Sequence, residues 1–229
     1  MDMATLIIVL GVLGNIVSFI AFLAPVPTFH WIYKSKSAEG FQSLPYVIAL
    51  LSSMLSMYYA LLQEGVLLLI TINSFGCVIE TIYISLFIFY APKKFKIQTV
   101  NILLLLNVFG YGLMIVLTTL LTKGDLRRKV VGLICLAFNI GVFAAPFSTM
   151  RQVIKTRSVE FMSFLLSFVI TLGAIMWFFY GFLVKDFYVA LPNVLEFFLR
   201  ISQMILYFLF KNAKSVIVVH EDQSKLELV

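Results

Sequence analysis

The sequence predicts an all-α membrane protein with seven transmembrane helices, arranged as two three-helix repeats joined by a linker helix. Three observations predict this fold. Of the 229 residues, 62% are hydrophobic and 12% are charged, with a mean hydropathy of +1.04, whereas charged residues make up about a quarter of soluble domains. Seven long apolar stretches follow one another along the chain. The pattern of the first three stretches is repeated in the last three.

Each apolar stretch has 18 to 25 residues, which is enough for a helix to cross about 30 Å of hydrocarbon. The predicted spans are 4–24, 45–62, 66–90, 100–121, 130–150, 161–184 and 187–210. The first stretch lacks the basic flank and the small-residue cleavage site of a signal peptide. We therefore take it as span 1, and little sequence remains for a soluble domain.

The basic residues lie mostly on one side of the predicted membrane. Eleven fall in the loops after spans 1, 3 and 5 and after span 7: Lys34, Lys36, Lys93, Lys94, Lys96, Arg151, Lys155, Arg157, Lys211, Lys214 and Lys225. The other side has five: Lys123, Arg127, Arg128, Lys129 and Lys185. Because Lys and Arg concentrate in cytoplasmic loops, we expect an extracellular N-terminus and a cytosolic tail over 211–229.

The net charge of +6 follows from these clusters at helix ends, where basic side chains meet lipid headgroups. It does not indicate a nucleic-acid partner. Cys77 and Cys135 both fall within predicted spans, so the sequence predicts neither a disulfide framework nor a metal site. No cofactor motif is present either. We expect the protein to lie in the plasma membrane, with the lipid bilayer as its surroundings.

An internal repeat relates the two halves of the chain. A shift of 121 positions aligns these pairs: Phe22 with Phe143, Ala24 with Ala145, Pro25 with Pro146, Thr28 with Thr149, Lys34 with Lys155, Glu39 with Glu160 and Tyr59 with Tyr180. The repeats are therefore 4–90 and 130–210, and the linker helix 100–121 lets both run in the same direction through the membrane. Transporters built from such parallel repeats hold their substrate near the midplane at the repeat interface.

Several segments carry a specific resemblance: "GNIVSFIAFLAPVPTF", "GFQSLPYV", "LLITINSFGCVIETIYI", "FAAPFSTMRQVIKTRSVEFM" and "KDFYVALPNV". Over residues 8–210 the chain resembles the plant SWEET (MtN3/saliva) family of sugar transporters, most closely its sucrose-type branch. The resemblance implies facilitated, bidirectional transport of a neutral sugar such as glucose or sucrose by alternating access. It also implies association into a homo-oligomer.

Asn73 and Asn193 lie near the middle of spans 3 and 7, at matching positions of the two repeats. An amide offers two donors and an acceptor oxygen without charge, which suits the hydroxyls of a neutral sugar. The alternative is that each amide joins packed helices, a common use of asparagine in membranes. The resemblance implies that this pair contacts the sugar.

Trp177 can stack its indole face against the C–H side of a sugar ring, or it can fill the core. The resemblance places a second tryptophan at the repeat-related position of sucrose transporters, where this chain has Ser56. The pocket should therefore be wider on that side, which makes a hexose a serious alternative to sucrose. Four further positions match the pocket lining of the family: Ser52, Gly173, Ala21 and Val142. Small residues also let helices approach closely.

Pro25, Pro45 and Pro146 lie near the cytoplasmic ends of spans 1, 2 and 5. A proline lacks the backbone N–H and clashes with the preceding turn, so each is expected to kink its helix and form a hinge. The resemblance implies a fourth hinge proline at the start of span 6, where this chain has Ser163. We expect this change to stiffen the inner gate or to alter its balance of states.

Tyr59 and Asp186 match an outer gating pair of the family, in which a phenol donates to a carboxylate. The alternative for Asp186 is an ordinary solvated acid in the loop after Lys185.

At 100° per residue, Asn193, Glu196, Arg200 and Gln203 form one stripe along span 7, and the repeat-related stripe on span 3 holds Asn73, Gly76 and Glu80. A charge in a membrane helix costs at least about 2.5–3.5 kcal/mol, so we expect Arg200 to pair with Glu196 or to reach Glu80. Most SWEETs have glycine in place of Glu196 and Arg200. The pair either clasps the bundle or obstructs the path, and we expect it to reduce transport.

Other classes of protein fit the sequence less well. Proton coupling would have to use Glu80, the other ionisable residue well inside a span. A seven-helix receptor is disfavoured by the internal repeat and the short loops, and no nucleophile and base lie at a spacing typical of an enzyme. The runner-up is an amino-acid exporter or cargo receptor with a Pro-Gln signature in each repeat. Here the corresponding dipeptides are Pro25-Val26 and Pro146-Phe147.

Overall fold

The computed structural model describes residues 2–160 and 162–213, and within them every regular element is a helix. Seven helical segments are long and apolar enough to cross a membrane, and we number them span 1 to span 7: Met3–Ser35, Leu44–Leu61, Leu67–Tyr90, Lys93–Leu121, Gly124–Thr156, Phe164–Leu183 and Phe187–Phe210. The predicted all-α class with seven spans is confirmed. Most of the predicted tail, residues 214–229, lies outside the described residues.

Spans 1 and 5 are longer than predicted. Span 1 consists of helix Met3–Leu23 followed by helix Val26–Ser35, and span 5 consists of Gly124–Val142 followed by Ala144–Thr156. The predictions 4–24 and 130–150 were wrong at these ends, because a second helix follows the first directly and continues beyond the apolar run. Each span therefore continues past its proline by about three turns.

Span 4 also begins earlier than the predicted residue 100. Helix Lys93–Leu103 leads into a π-helical segment, Leu104–Gly110, and then into helix Tyr111–Leu121. Span 6 begins at Phe164, after the predicted start at 161, which lies outside the described residues. The other spans agree with the predicted ranges to within one residue.

The helices of the two repeats pack in the same way. Within the first repeat, span 3 packs against spans 1 and 2; within the second, span 7 packs against spans 5 and 6. Between the repeats, span 1 packs against span 6 and span 2 packs against span 5. In both interfaces the first helix of one repeat packs against the second helix of the other repeat. A space remains between these two interfaces, at the centre of the bundle. We call the end of this space near Tyr59 the Tyr59 end, and the end near Pro25 the Pro25 end.

The prolines act differently from one another. Spans 1 and 5 break at Ala24–Pro25 and at Phe143, three residues before Pro146. The prediction for Pro45 was wrong, because Pro45 is in the first turn of span 2. A proline there loses no helical hydrogen bond and starts the helix without a kink.

Ser163 also starts a helix. It has an extended backbone, and its Oγ accepts a hydrogen bond from the Leu166 N–H at 3.3 Å, which caps span 6. The side chain therefore satisfies one of the free N–H groups of the first turn. A proline at this position would lose that bond.

Candidate functional site

A central cavity of about 310 Å³ lies between the two repeats. Six of the predicted pocket residues line it: Asn73, Asn193, Trp177, Ser52, Ser56 and Val142. An adjoining cavity of about 370 Å³ shares Trp177 and Asn193 with it and includes the other two, Ala21 and Gly173. The structure thus brings all eight predicted residues to one region, which is large enough for a small ligand.

The two asparagines are held in the same way. Asn73 Nδ2 donates to the Leu69 carbonyl at 2.8 Å, and Asn193 Nδ2 donates to the Val189 carbonyl at 2.7 Å. Each amide is thereby fixed on its own helix, four residues after its acceptor. Within the described residues neither amide oxygen accepts a hydrogen bond. Two repeat-related acceptors therefore remain available on the cavity wall.

Trp177 is fixed from two sides. Its Nε1 donates to Ser18 Oγ of span 1 at 2.9 Å, and its ring packs edge-on against Tyr180 with centroids 5.3 Å apart. Gly14 of span 1 lies against the indole, where an added Cβ would come within 3.1 Å of the ring. The indole is therefore an oriented apolar wall. On the opposite wall Ser56 supplies no ring.

Two polar cavity residues were not predicted from the sequence, Asn139 and Ser18. Asn139 of span 5 accepts a hydrogen bond from Ser52 Oγ of span 2 at 2.9 Å, across the repeat interface. A sequence signal for both was available. Asn139 is an amide inside an apolar run, and a shift of 121 places it opposite Ser18.

A third missed residue is Pro192, which lies inside span 7 and lines the central cavity. It cannot donate to the carbonyl of Tyr188, four residues earlier. That carbonyl belongs to the part of span 7 beside the central cavity, and Tyr188 itself lines the cavity. The sequence signal was the dipeptide Pro192-Asn193, because the proline removes one helical hydrogen bond directly before the asparagine.

The Tyr59 end is closed by a hydrogen-bonded cluster around Asp186. The Tyr59 hydroxyl lies 2.9 and 3.0 Å from the two carboxylate oxygens, and Gln63 Nε2 donates to Oδ2 at 2.8 Å. Two N–H groups, of Tyr188 and Val189, donate to Oδ1 and cap span 7. Asp186 is only 7% exposed. The alternative of a solvated loop acid is therefore wrong.

The Pro25 end differs. Leaving Thr149 aside, no described residue makes a hydrogen bond or an ion pair between the two repeats at this end. The hydrogen bonds found between the two repeats lie at the Tyr59 end and in the middle of the bundle.

The charged stripe of span 7 runs from the cavity toward the Pro25 end. Arg200 donates to Glu196 Oε1 at 3.3 Å and to Gln203 Oε1 at 2.9 Å, and Ser167 Oγ of span 6 donates to the same Gln203 oxygen at 3.3 Å. Glu196 lines the central cavity, whereas Arg200 lines both the adjoining cavity and a third cavity beside Ser163. The predicted pairing within span 7 is present.

Glu80 does not pair with Arg200 in this structure. It is 4% exposed, and its Oε2 accepts no hydrogen bond from the described part of the chain. It lines neither of the two cavities that hold the asparagines. Of the two partners expected for Arg200, the structure therefore shows Glu196 and not Glu80.

Two parallel three-helix repeats around a polar cavity, with a hydrogen-bonded cluster at one end, are the architecture of a membrane transporter. The sequence profile of the family described as "Sugar efflux transporter for intercellular exchange" matches residues 8–95 and 129–215, which contain the two repeats. The chain therefore belongs to this family, the SWEET transporters.

Individual relatives agree with this assignment. Bidirectional sugar transporter SWEET13 of Arabidopsis thaliana is 59% identical over 218 residues, which are 95% of this chain and 74% of the relative. Bidirectional sugar transporter NEC1 of Petunia hybrida is 57% identical over 208 residues, 91% of this chain and 78% of the relative. A solved structure of a eukaryotic SWEET transporter matches with a TM-score of 0.86 and 36% identity, covering 91% of this chain and 98% of that chain.

Proposed function

We propose that this protein is a facilitated, bidirectional transporter of a neutral sugar. The sugar binds in the central cavity between Asn73 and Asn193, with one ring face against Trp177. The observation that carries this proposal is the pair of repeat-related amides with acceptor oxygens left free at the cavity wall. Sugar hydroxyls can donate to both oxygens, while the indole covers the apolar C–H face.

Transport proceeds by alternating access, with the N-terminus outside and the Tyr59 end facing outward. The bonds from Tyr59 and Gln63 to Asp186 close the outer side. The adjoining cavity is lined by residues of both repeats, among them Ala21 of span 1 and Arg200 of span 7, and extends toward the Pro25 end. This combination supports an inward-facing state. The breaks at Pro25 and Pro146 are the places where the inner halves bend as the carrier changes state.

The first test is transport of labelled glucose and labelled sucrose in a cell that lacks its own sugar carriers. We expect saturable uptake and saturable efflux of at least one of the two. The same cells without the protein are the control. No flux of either sugar, with the protein present at the cell surface, would refute the proposal. Surface labelling of an N-terminal tag in intact cells tests the proposed plasma membrane and orientation.

Replacing Ser56 with tryptophan is expected to shift preference from hexose toward sucrose. The new indole would face Trp177 across the cavity and provide a second stacking surface, and an aromatic contact contributes about 0.5–1.5 kcal/mol. We expect the ratio of sucrose to glucose uptake to rise about threefold to tenfold. Ser85→Trp, at an exposed serine of span 3 that lines neither cavity, is the matched control. A clear preference of the unaltered chain for sucrose would contradict this account of Ser56.

Uptake is expected to be insensitive to external pH and to collapse of the proton gradient. Glu80 is buried away from both cavities, with no hydrogen-bond donor to its Oε2 among the described residues, so it has no route for exchanging a proton with the sugar site. We expect Glu80→Gln to keep uptake within about twofold, since the isosteric amide avoids the cost of a charge in a span. Loss of uptake when the gradient is removed would show proton coupling.

Association into a homo-oligomer is part of the proposal. The seven spans leave many large apolar side chains exposed, including Phe89, Phe109 and Leu120, and these face lipid or another copy. Crosslinking of the protein in intact membranes tests it, and a purely monomeric species would contradict it.

A further inference from the structure

Glu196 is an unusual residue for the wall of a neutral-sugar site. It lies one helical turn from Asn193 on the same face of span 7, and both residues line the central and the adjoining cavities. Its side chain remains 28% exposed. A carboxylate at such a position has to be compensated, because an isolated charge is costly inside a membrane.

The two carboxylate oxygens have different surroundings. Arg200 donates to Oε1 at 3.3 Å, and within the described residues no group donates to Oε2. Arg200 is itself anchored by Gln203 at 2.9 Å, which is in turn bonded to Ser167 of span 6. The charge is therefore balanced and the carboxylate is held in place, while one oxygen keeps its full capacity to accept hydrogen bonds.

The first repeat cannot offer an equivalent group. The position related to Glu196 is Gly76, and a Cβ there would lie 2.5 Å from Ser53 Oγ and 2.7 Å from the ring of Phe22. Side chains of spans 1 and 2 already fill that space. The two sides of the cavity therefore differ: the second repeat presents both the indole of Trp177 and the carboxylate of Glu196, whereas the first presents Ser56 and has no counterpart to the carboxylate.

We infer that Glu196 is a specificity-determining residue that accepts a hydroxyl of the sugar and orients the ring toward the second repeat. Arg200 is a positioning residue that holds the carboxylate. This inference rests on the proposed sugar transport and adds to it the group that selects the sugar. Hydrogen bonds to a charged acceptor are roughly twice as strong as neutral ones, so a sugar lacking the contacted hydroxyl is discriminated against.

The contact also has a kinetic consequence. Tight binding within the cavity lowers the KM but slows release of the sugar, because uniform stabilisation of the bound state deepens the well from which the sugar must leave. Arg200 lines both the adjoining cavity and the third cavity. It therefore lies between Glu196 and the Pro25 end. Together the two residues therefore lower the maximal rate of transport and raise the selectivity among sugars.

The test is competition by glucose analogues that each lack one hydroxyl, measured against uptake of labelled glucose. For the unaltered chain we expect one analogue to compete about tenfold less well than glucose, the discrimination expected from one charge-assisted bond. That penalty should be reduced in Glu196→Gln, which keeps one acceptor, and absent in the double variant Glu196→Gly with Arg200→Gly. The double variant should also show a higher KM and a higher maximal rate.

Two further variants separate positioning from folding. Arg200→Lys keeps the cation and should retain the hydroxyl selectivity, whereas Arg200→Met should lose it. Glu64→Gln, at an exposed residue outside the spans, is the control and should match the unaltered chain. A purely structural clasp would change surface level or maximal rate without changing the order of the analogues. An unchanged order in Glu196→Gln and in the double variant would therefore overturn the inference, whereas absence of any sugar flux in the unaltered chain would instead refute the proposed function.

Discussion

Replacing Asn193 with alanine is expected to reduce sugar uptake at least about tenfold, the largest effect of any single change in the cavity. The amide oxygen is a free acceptor that span 7 offers at the cavity wall, one helical turn from Glu196. Its loss leaves a sugar hydroxyl without a partner, which costs about 1–3 kcal/mol in a site closed to water. Asn73→Ala should have a similar effect, because it removes the repeat-related acceptor on span 3.

The matched control for both changes is Asn101→Ala, an exposed asparagine on span 4 that lines neither cavity. It should retain uptake within about twofold, as surface substitutions usually do. Both pocket variants should reach the cell surface at normal levels, because each loses only a bond to its own helix. If Asn73 and Asn193 only hold helices together, surface level will fall with uptake and the KM of the residual flux will not change.

Replacing Tyr59 with phenylalanine should open the proposed outer gate and reduce uptake by about tenfold. The change removes the hydroxyl that contacts both oxygens of Asp186 while leaving the ring in the core. Hydrogen bonds to charged groups contribute about 1.5–3 kcal/mol, so the balance of states should shift outward by tenfold or more. Gln63 and the two N–H groups of span 7 still bond Asp186, so its helix cap remains.

The native cysteine Cys135 reports on this shift, because it lines the central cavity below the gate. A membrane-impermeant thiol reagent applied outside should label it faster in Tyr59→Phe than in the unaltered chain. The same variant with Cys135→Ala is the control for labelling at Cys77. Asp186→Ala removes both gate and cap, so it should lower uptake and surface level together. Unchanged labelling and uptake in Tyr59→Phe would show that this cluster is only a helix cap.

The spans could be predicted because a chain in lipid must satisfy its backbone hydrogen bonds within helices, so an apolar run of sufficient length has one solution. The same reasoning failed at the ends of spans 1, 4 and 5. There the helices continue into charged residues that lie beyond the apolar run, such as Lys34 and Lys93. Hydropathy records where the hydrocarbon ends and does not record where the helix ends.

The cavity could be predicted to the extent that the repeat relates its residues. Asn73 and Asn193 are recognisable as a pair from sequence spacing alone. The hydrogen bond between Ser52 and Asn139 could not be predicted, because it depends on how closely span 2 approaches span 5. Glu80 was predicted to share a stripe with Asn73, but it lines neither of the cavities. Helical geometry fixes directions within a span and leaves open how far apart the two repeats stand.

The most direct test of the account is flux of labelled glucose and sucrose through the purified protein in liposomes without any ion gradient. We predict that sugar equilibrates in both directions, is never concentrated, and enters faster when unlabelled sugar is present on the opposite side. Liposomes holding the variant Asn73→Ala with Asn193→Ala should show only the leak of empty liposomes. Accumulation above equilibrium, or equal flux with and without the two asparagines, would contradict a sugar uniporter that works through this cavity.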